Sequence, residues 1–263
     1  MAKFYPMFSS SDGNSTYIGA SGEGVLVDVG VSYKRIKTAL LNAKISLDDI
    51  KAVLITHEHT DHIKGLKVFL KNHPVPVIAS RDTIYALEFY GAITHETKRI
   101  YIDEEDGCKI GGMFIKRFPT SHDCKGSSCY TVTLPGDVKT AVCTDLGVMS
   151  EEIRKGLSGS RIIMLESNHD PVMLRLGPYP PELKIRIGSD KGHLPNAVCA
   201  EALAYFYENG TDRFVLGHLS EHNNTPDKAA SAARAALMDK GAVESEDYIL
   251  YIAEKEGTRV IPI

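Results

Sequence analysis

Short apolar, β-branched runs alternate along the chain with stretches whose apolar residues recur at helical spacing. Residues 17–18 and 25–29 read as an early strand pair, joined in a hairpin through Gly19, Gly22 and Gly24. Ile36, Ala39, Leu40 and Ala43 repeat every three to four positions, as on one face of a helix. Ser46 ahead of Asp48 and Asp49 marks a cap followed by an acidic first turn. Residues 51–56, KAVLIT, form a short run apolar on both faces, the signature of a buried strand. Ile63, Leu66, Val68, Phe69 and Leu70 then predict a helix that stops at His73-Pro74. A strand over 75–79 and a helix from Asp82 to Tyr90 follow.

The middle of the chain is richer in strands, expected over 109–118, 130–134, 140–144 and 161–166. Alternation returns in the last third. Helices are expected over 196–208 and 226–240, and strands over 213–217 and 248–253. Strands and helices mixed without segregation into blocks predict a layered α/β fold. Neither a repeat nor a long linker interrupts the pattern, so residues 1–263 are expected to form a single domain. No stretch approaches the roughly 18 uninterrupted apolar residues of a membrane span, which excludes a helical membrane protein. The opening MAKFYPMFSSSDGNS lacks an apolar export core, and five cysteines form no Cys-x-x-Cys pair. Reduced thiols and a cytoplasmic location are the expectation.

Chemistry concentrates in His57-Glu58-His59-Thr60-Asp61-His62, directly after the KAVLIT strand. In an extended segment residues two apart point the same way, so His57 and His59 can converge on one point. Thr60 is expected to cap the next helix and so place Asp61 and His62 in its first turn. Three histidines and an aspartate in six positions are costly to bury without partners. A divalent metal is the partner that this donor set suits. The Walker phosphate loop, the Gly-x-Ser-x-Gly elbow and the helical His-Glu-x-x-His motif are all absent. Further polar residues stand just past later strands: His122, Asp145, His169 and His218. That is where α/β folds assemble their sites.

On these residues the chain resembles the metallo-β-lactamase-fold hydrolases, whose His-x-His-x-Asp-His motif His57, His59, Asp61 and His62 match in full. The segments GNSTYI, ESNHD, KGHLPN and GHLSEHNN make it similar to the YycJ/WalJ branch, implicated in processing DNA ends. The resemblance implies a four-layer αβ/βα sandwich and two divalent metal ions, zinc or manganese, with iron also open. One ion would be held by His57, His59 and His122 and the other by Asp61, His62 and His218, with Asp145 bridging. It also implies a metal-bridging hydroxide as nucleophile, with Asp61 in the catalytic set. His193 matches a histidine of ribonuclease Z relatives that assists the leaving group, and it is assigned a catalytic role on that resemblance.

The metal core alone does not choose between phosphodiesters, thioesters and lactams. Residues 174–194 carry Arg175, Lys184, Arg186 and Lys191 against Glu182 and Asp190, a cationic strip in a chain of net charge −4. Arg186 and Lys191 are therefore expected to meet phosphates. His169 is expected to line the substrate groove, and the Ser9–Ser15 loop, Ser15 included, to bind a terminal phosphate. The expected function is a metal-dependent phosphodiesterase, foremost a DNA exonuclease with DNA ends as its partner and no membrane association. The alternative is a small-molecule hydrolase, such as a cyclic-phosphate phosphodiesterase, thioesterase or lactonase, on the same fold.

Overall fold

Because the apolar runs are buried on both faces, they stack as two sheets in the middle of the molecule with helices outside. The computed structural model describes residues 2–102 and 107–263. The first half of the chain runs β1 (Lys3–Phe8), β2 (Ser15–Ala20), β3 (Glu23–Val27), α1 (Tyr33–Asn42), β4 (Ile50–Leu54), α2 (Thr60–Ile63), α3 (Leu66–Asn72), β5 (Val77–Ala79), α4 (Arg81–Phe89) and β6 (Arg99–Tyr101). The second half runs β7 (Cys108–Ile110), β8 (Met113–Pro119), β9 (Ser128–Leu134), β10 (Val138–Cys143), α5 (Glu151–Leu157), β11 (Ile162–Glu166), α6 (Pro171–Leu176) and α7 (Pro181–Ile187). It ends with α8 (Asn196–Glu208), β12 (Arg213–Gly217), α9 (Pro226–Met238), β13 (Ile249–Ile252) and β14 (Ile261–Pro262).

Among the described residues the sheets have strand orders β14-β1-β2-β3-β4-β5-β6 and β13-β12-β11-β10-β9-β8-β7. Alternation along single strands assigns the layers. Val25 and Val27 of β3, Ala52 and Leu54 of β4, and Ile162 and Met164 of β11 enter one cluster between the sheets. Leu26 and Val53 face the opposite way, into a cluster with Ile36 of α1 and Phe69 of α3. Ile163 and Leu165 turn outward against Leu203 and Phe206 of α8 and Ala233 of α9. Helices, sheet, sheet and helices thus form the four layers that the resemblance implies. β3, β4, β5 and β6 are parallel neighbours, as are β10, β11, β12 and β13. β8 runs in the direction of β10, since both are antiparallel to β9. The carboxyl ends of β4, β8, β10, β11 and β12 therefore lead into loops that can build one site.

Local rules explain the successes and the departures. Ser21 and Gly22 both have positive φ, 54° and 79°, the two-residue hairpin turn that matches strand twist. The strand expected over 109–118 is instead two, β7 and β8, because Gly111 takes φ +56° in a tight turn. β1 carries Pro6, which no alternation rule favours; the proline sits where the pairing with β2 shifts register. Thr60 does not cap α2. It is the first residue of that helix, while His59 takes the extended cap position without a side-chain bond. The cationic strip holds two short helices, α6 and α7, rather than an open loop.

Candidate metal centre

After β4 the backbone stays extended, and His57 and His59 bring their rings edge to face at 4.5 Å between centroids. α2 then turns Asp61 and His62 back toward the same point. A glycine makes that turn fit. The Asn14 amide donates to the Asp61 carbonyl at 2.8 Å, and the Val29 amide to the His62 carbonyl at 2.8 Å. Gly30 lies between them, where a Cβ would fall 1.7 Å from the Asp61 carbonyl oxygen and 2.5 Å from the Asn14 nitrogen. Backbone cannot yield there as a flexible side chain can. Gly30→Ala is expected to cost about 3 kcal/mol, read by thermal unfolding as a Tm lower by roughly 6–12 °C.

The later strands deliver the rest. His122 follows β8, Asp145 follows β10, Glu166 ends β11 and His218 follows β12. Asp145 and His218 take left-handed backbone angles, φ 58° and 54°, as does Asp28 past β3, with φ 63°. Non-glycine residues rarely adopt this conformation, and it concentrates where function holds the chain. Potential ligand atoms of His57, His59 and His122 lie within 4.8 Å of one another, and so do those of Asp61, His62 and His218. Asp145 reaches both groups. Its Oδ2 is 3.3 Å from His62 Nε2 and its Oδ1 is 3.9 Å from His122 Nε2.

The histidines are held from behind. His62 Nδ1 bonds Asp28 Oδ2 at 2.8 Å, His122 Nδ1 bonds the Gly192 carbonyl at 3.0 Å, and His218 Nδ1 bonds Glu166 Oε1 at 2.8 Å. His57 Nδ1 is 3.0 Å from the Thr56 hydroxyl. Each ring thereby commits one nitrogen and leaves Nε2 toward the centre, the outer-shell arrangement that orients metal-ligating imidazoles. His57 Nε2, His218 Nε2 and Asp145 Oδ2 are buried without a hydrogen-bond partner. Buried polar atoms rarely stay unpaired, and divalent cations at the two triads would satisfy these. The donor set fits metal.

Charge supports the same reading. Burial followed by the charges of His62, His122 and His59 drives the His57 pKa far down, leaving a neutral imidazole. Burial, then His122, lowers His59 as well. At His62 burial opposes protonation, but Asp145, Asp28 and Asp61 outweigh it and raise the pKa. Burial also resists ionisation of Asp61, yet His62 and His218 hold its carboxyl below the usual range. Asp28, Asp61, Asp145 and Glu166 thus gather in one small volume, a strong field for cations.

The remaining expected residues divide. His193 lies at the rim, its side chain 18% exposed, with Nδ1 2.8 Å from Glu166 Oε1 and rings 5.1 and 5.3 Å from His122 and His218. Burial works against its proton, but the Glu166 charge and hydrogen bond prevail and raise its pKa. Arg186 pairs with Asp123, whose other oxygen stands 3.3 Å from His122 Nε2 and 3.6 Å from His59 Nε2. Lys191 is exposed just before His193. His169 is buried beside Pro195, and its Nδ1 has no partner. Ser15 is buried in β2, and its hydroxyl donates to the Asp28 carbonyl at 2.8 Å.

Glu166 is the main residue that sequence reasoning missed. Its Oε1 accepts from His193 and His218, and its Oε2 from the Leu146 and Leu194 amides at 3.1 and 3.0 Å. Asp28 plays the matching part for His62 and Thr56. Asn14 adds a donor to Asp61 Oδ2 at 3.2 Å. A cavity of about 570 Å³ lies elsewhere, lined by Val68, Pro74, Val75, Pro76 and Ile93 near the entry to β5. That is the amino-terminal end of β5, whereas the histidines follow the carboxyl end of its parallel neighbour β4, so the cavity lies away from this chemistry.

The family model described as "Beta-lactamase superfamily domain" matches residues 24–219. Exodeoxyribonuclease YycJ of Bacillus anthracis is 35% identical over 239 residues, covering 90% of each chain. Exodeoxyribonuclease WalJ of Streptococcus pneumoniae is 35% identical over 231 residues, covering 86% of this chain and 85% of that one. Among solved structures, the metallo-beta-lactamase fold protein YhfI from Bacillus subtilis superposes with a TM-score of 0.72 at 16% identity, over 99% of this chain and 98% of that one.

Proposed function

The chain belongs to the metallo-β-lactamase superfamily, in the branch of YycJ and WalJ, and on that premise we propose that it is a metal-dependent exonuclease that hydrolyses phosphodiester bonds at DNA ends. The observation that carries this reading is Asp145, within reach of two triads in each of which a buried histidine Nε2, that of His57 or of His218, lacks a partner. His57, His59 and His122 would hold one divalent ion and Asp61, His62 and His218 the other, with Asp145 within reach of both. Zinc and manganese both suit imidazole and carboxylate ligands, and iron is a third candidate. When bound, such a pair of ions would supply an activated water and neutralise the charge that develops on a phosphate.

The protein's own groups do the rest. Asp28 and Glu166 fix the rings, so the donors need not reorganise on binding. His193 commits Nδ1 to Glu166, so Nε2 is the nitrogen that would serve the substrate. Its raised pKa keeps a proton there for the departing oxygen, the role of a general acid. Arg186 and Lys191 lie on the His193 side and meet backbone phosphates. The return of β14 to pair with β1 supports treating residues 1–263 as one hydrolase domain.

Linear and covalently closed circular DNA separate the possibilities. The metal-loaded protein is expected to shorten linear DNA progressively and to leave closed circles intact. Equal loss of both forms would mean an internal cutter. Hydrolysis of small cyclic phosphates or thioesters with neither DNA touched would select the small-molecule alternative.

A further inference from the structure

The two short helices between β11 and α8 carry features that metal chemistry does not require. Leu176 at the end of α6 is 75% exposed, Ile185 in α7 is 73% exposed and Val172 in α6 is 50% exposed. Single exposed apolar residues are ordinary. These three, however, sit among Arg175, Lys184 and Arg186 on one arm beside the site. The arm is fastened at several points. Lys184 Nζ donates to the Arg175 carbonyl at 2.9 Å, tying α7 to α6. The His193 amide donates to the Ile187 carbonyl at 2.9 Å. Arg186 pairs with Asp123, and Tyr179 between the helices packs edge to face on His222 at 5.6 Å.

We propose that this arm is a strand platform, with Leu176 and Ile185 packing against unpaired bases while Arg175 and Arg186 take the flanking phosphates. The proposal rests on the exonuclease reading and names its substrate: a single strand, or the frayed end of a duplex. Exposed aliphatic side chains set among guanidinium groups complement a nucleotide strand, which offers flat apolar bases on a regularly charged backbone. Proteins use leucine and isoleucine in this way to wedge against unstacked bases. Seven residues make α7 about 10 Å long, so the arm spans only a few nucleotides. Efficiency should therefore climb with oligonucleotide length over the first few residues and then level off.

The test compares wild type with the double variant Leu176→Ser/Ile185→Ser, both substitutions being on the surface. The probes are 5′-phosphorylated single-stranded oligonucleotides of two to ten residues and the small diester bis-p-nitrophenyl phosphate. We expect KM for the longer oligonucleotides to rise about tenfold in the variant. The length dependence should flatten, while small-diester turnover and thermal unfolding stay as in wild type. An unchanged KM, in a variant that still cleaves oligonucleotides, would overturn the platform and leave the exonuclease reading standing. A wild type that cleaves the small diester but no oligonucleotide would remove that reading, and the platform with it. A wild-type dimer that the variant dissociates on sedimentation, with KM unchanged, would assign the face to a second copy and overturn the platform.

Discussion

Asp145→Ala is expected to lower DNA cleavage by about 1,000-fold or more, at the upper end of what loss of one electrostatic stabiliser costs. The size follows from where the carboxylate stands. It stands against both triads, with oxygens toward His62, His122 and His218. On the proposed assignment its removal would take a ligand from each ion and leave three imidazoles without their shared counter-charge. Metal content measured on the purified variant should fall below two ions per chain. Full occupancy with normal cleavage would show that Asp145 does not bridge. The fold should survive, because Asp145 lies beyond the end of β10 and no apolar core residue is lost.

Glu166→Gln should be the next most damaging change, although it alters a single atom. The carboxylate accepts four donors, two imidazole nitrogens on one oxygen and two backbone amides on the other. An amide in its place must turn its NH2 toward one of those donor pairs, and either choice sets donor against donor in a fully buried position. His193 and His218 lose their common anchor. Metal affinity is expected to drop by 10–100-fold, the range for outer-shell partners of ligating histidines. Titration calorimetry with zinc or manganese reads it. An affinity equal to wild type would reduce Glu166 to a packing role.

The candidate metal centre is largely legible in the sequence because its signal is local. Four donors in the six residues from His57 to His62 cannot be mistaken for a core, and later donors announce themselves by standing past apolar runs. Residues inside those runs were harder. Asp28 lies within VLVDVG and Glu166 closes IIMLE, so both read as strand positions. A carboxylate at the end of a fully apolar run was the available signal, since nothing but a strong partner keeps it there. Ser15 is the opposite case. Its loop composition suggested a phosphate cradle, but the residue already belongs to β2 and its hydroxyl serves the Asp28 carbonyl. α6 and α7 are too short for a periodic pattern, so the strip they form was visible as charge alone.

One measurement bears directly on the central claim. Metal-free protein is reloaded in steps with manganese or zinc, and bound metal per chain and shortening of end-labelled linear DNA are read from the same samples. The account predicts no cleavage without metal, a rise with loading, and a plateau at two ions per chain. Cleavage by the metal-free chain, or DNA ends left intact by a chain that holds both ions, would contradict it.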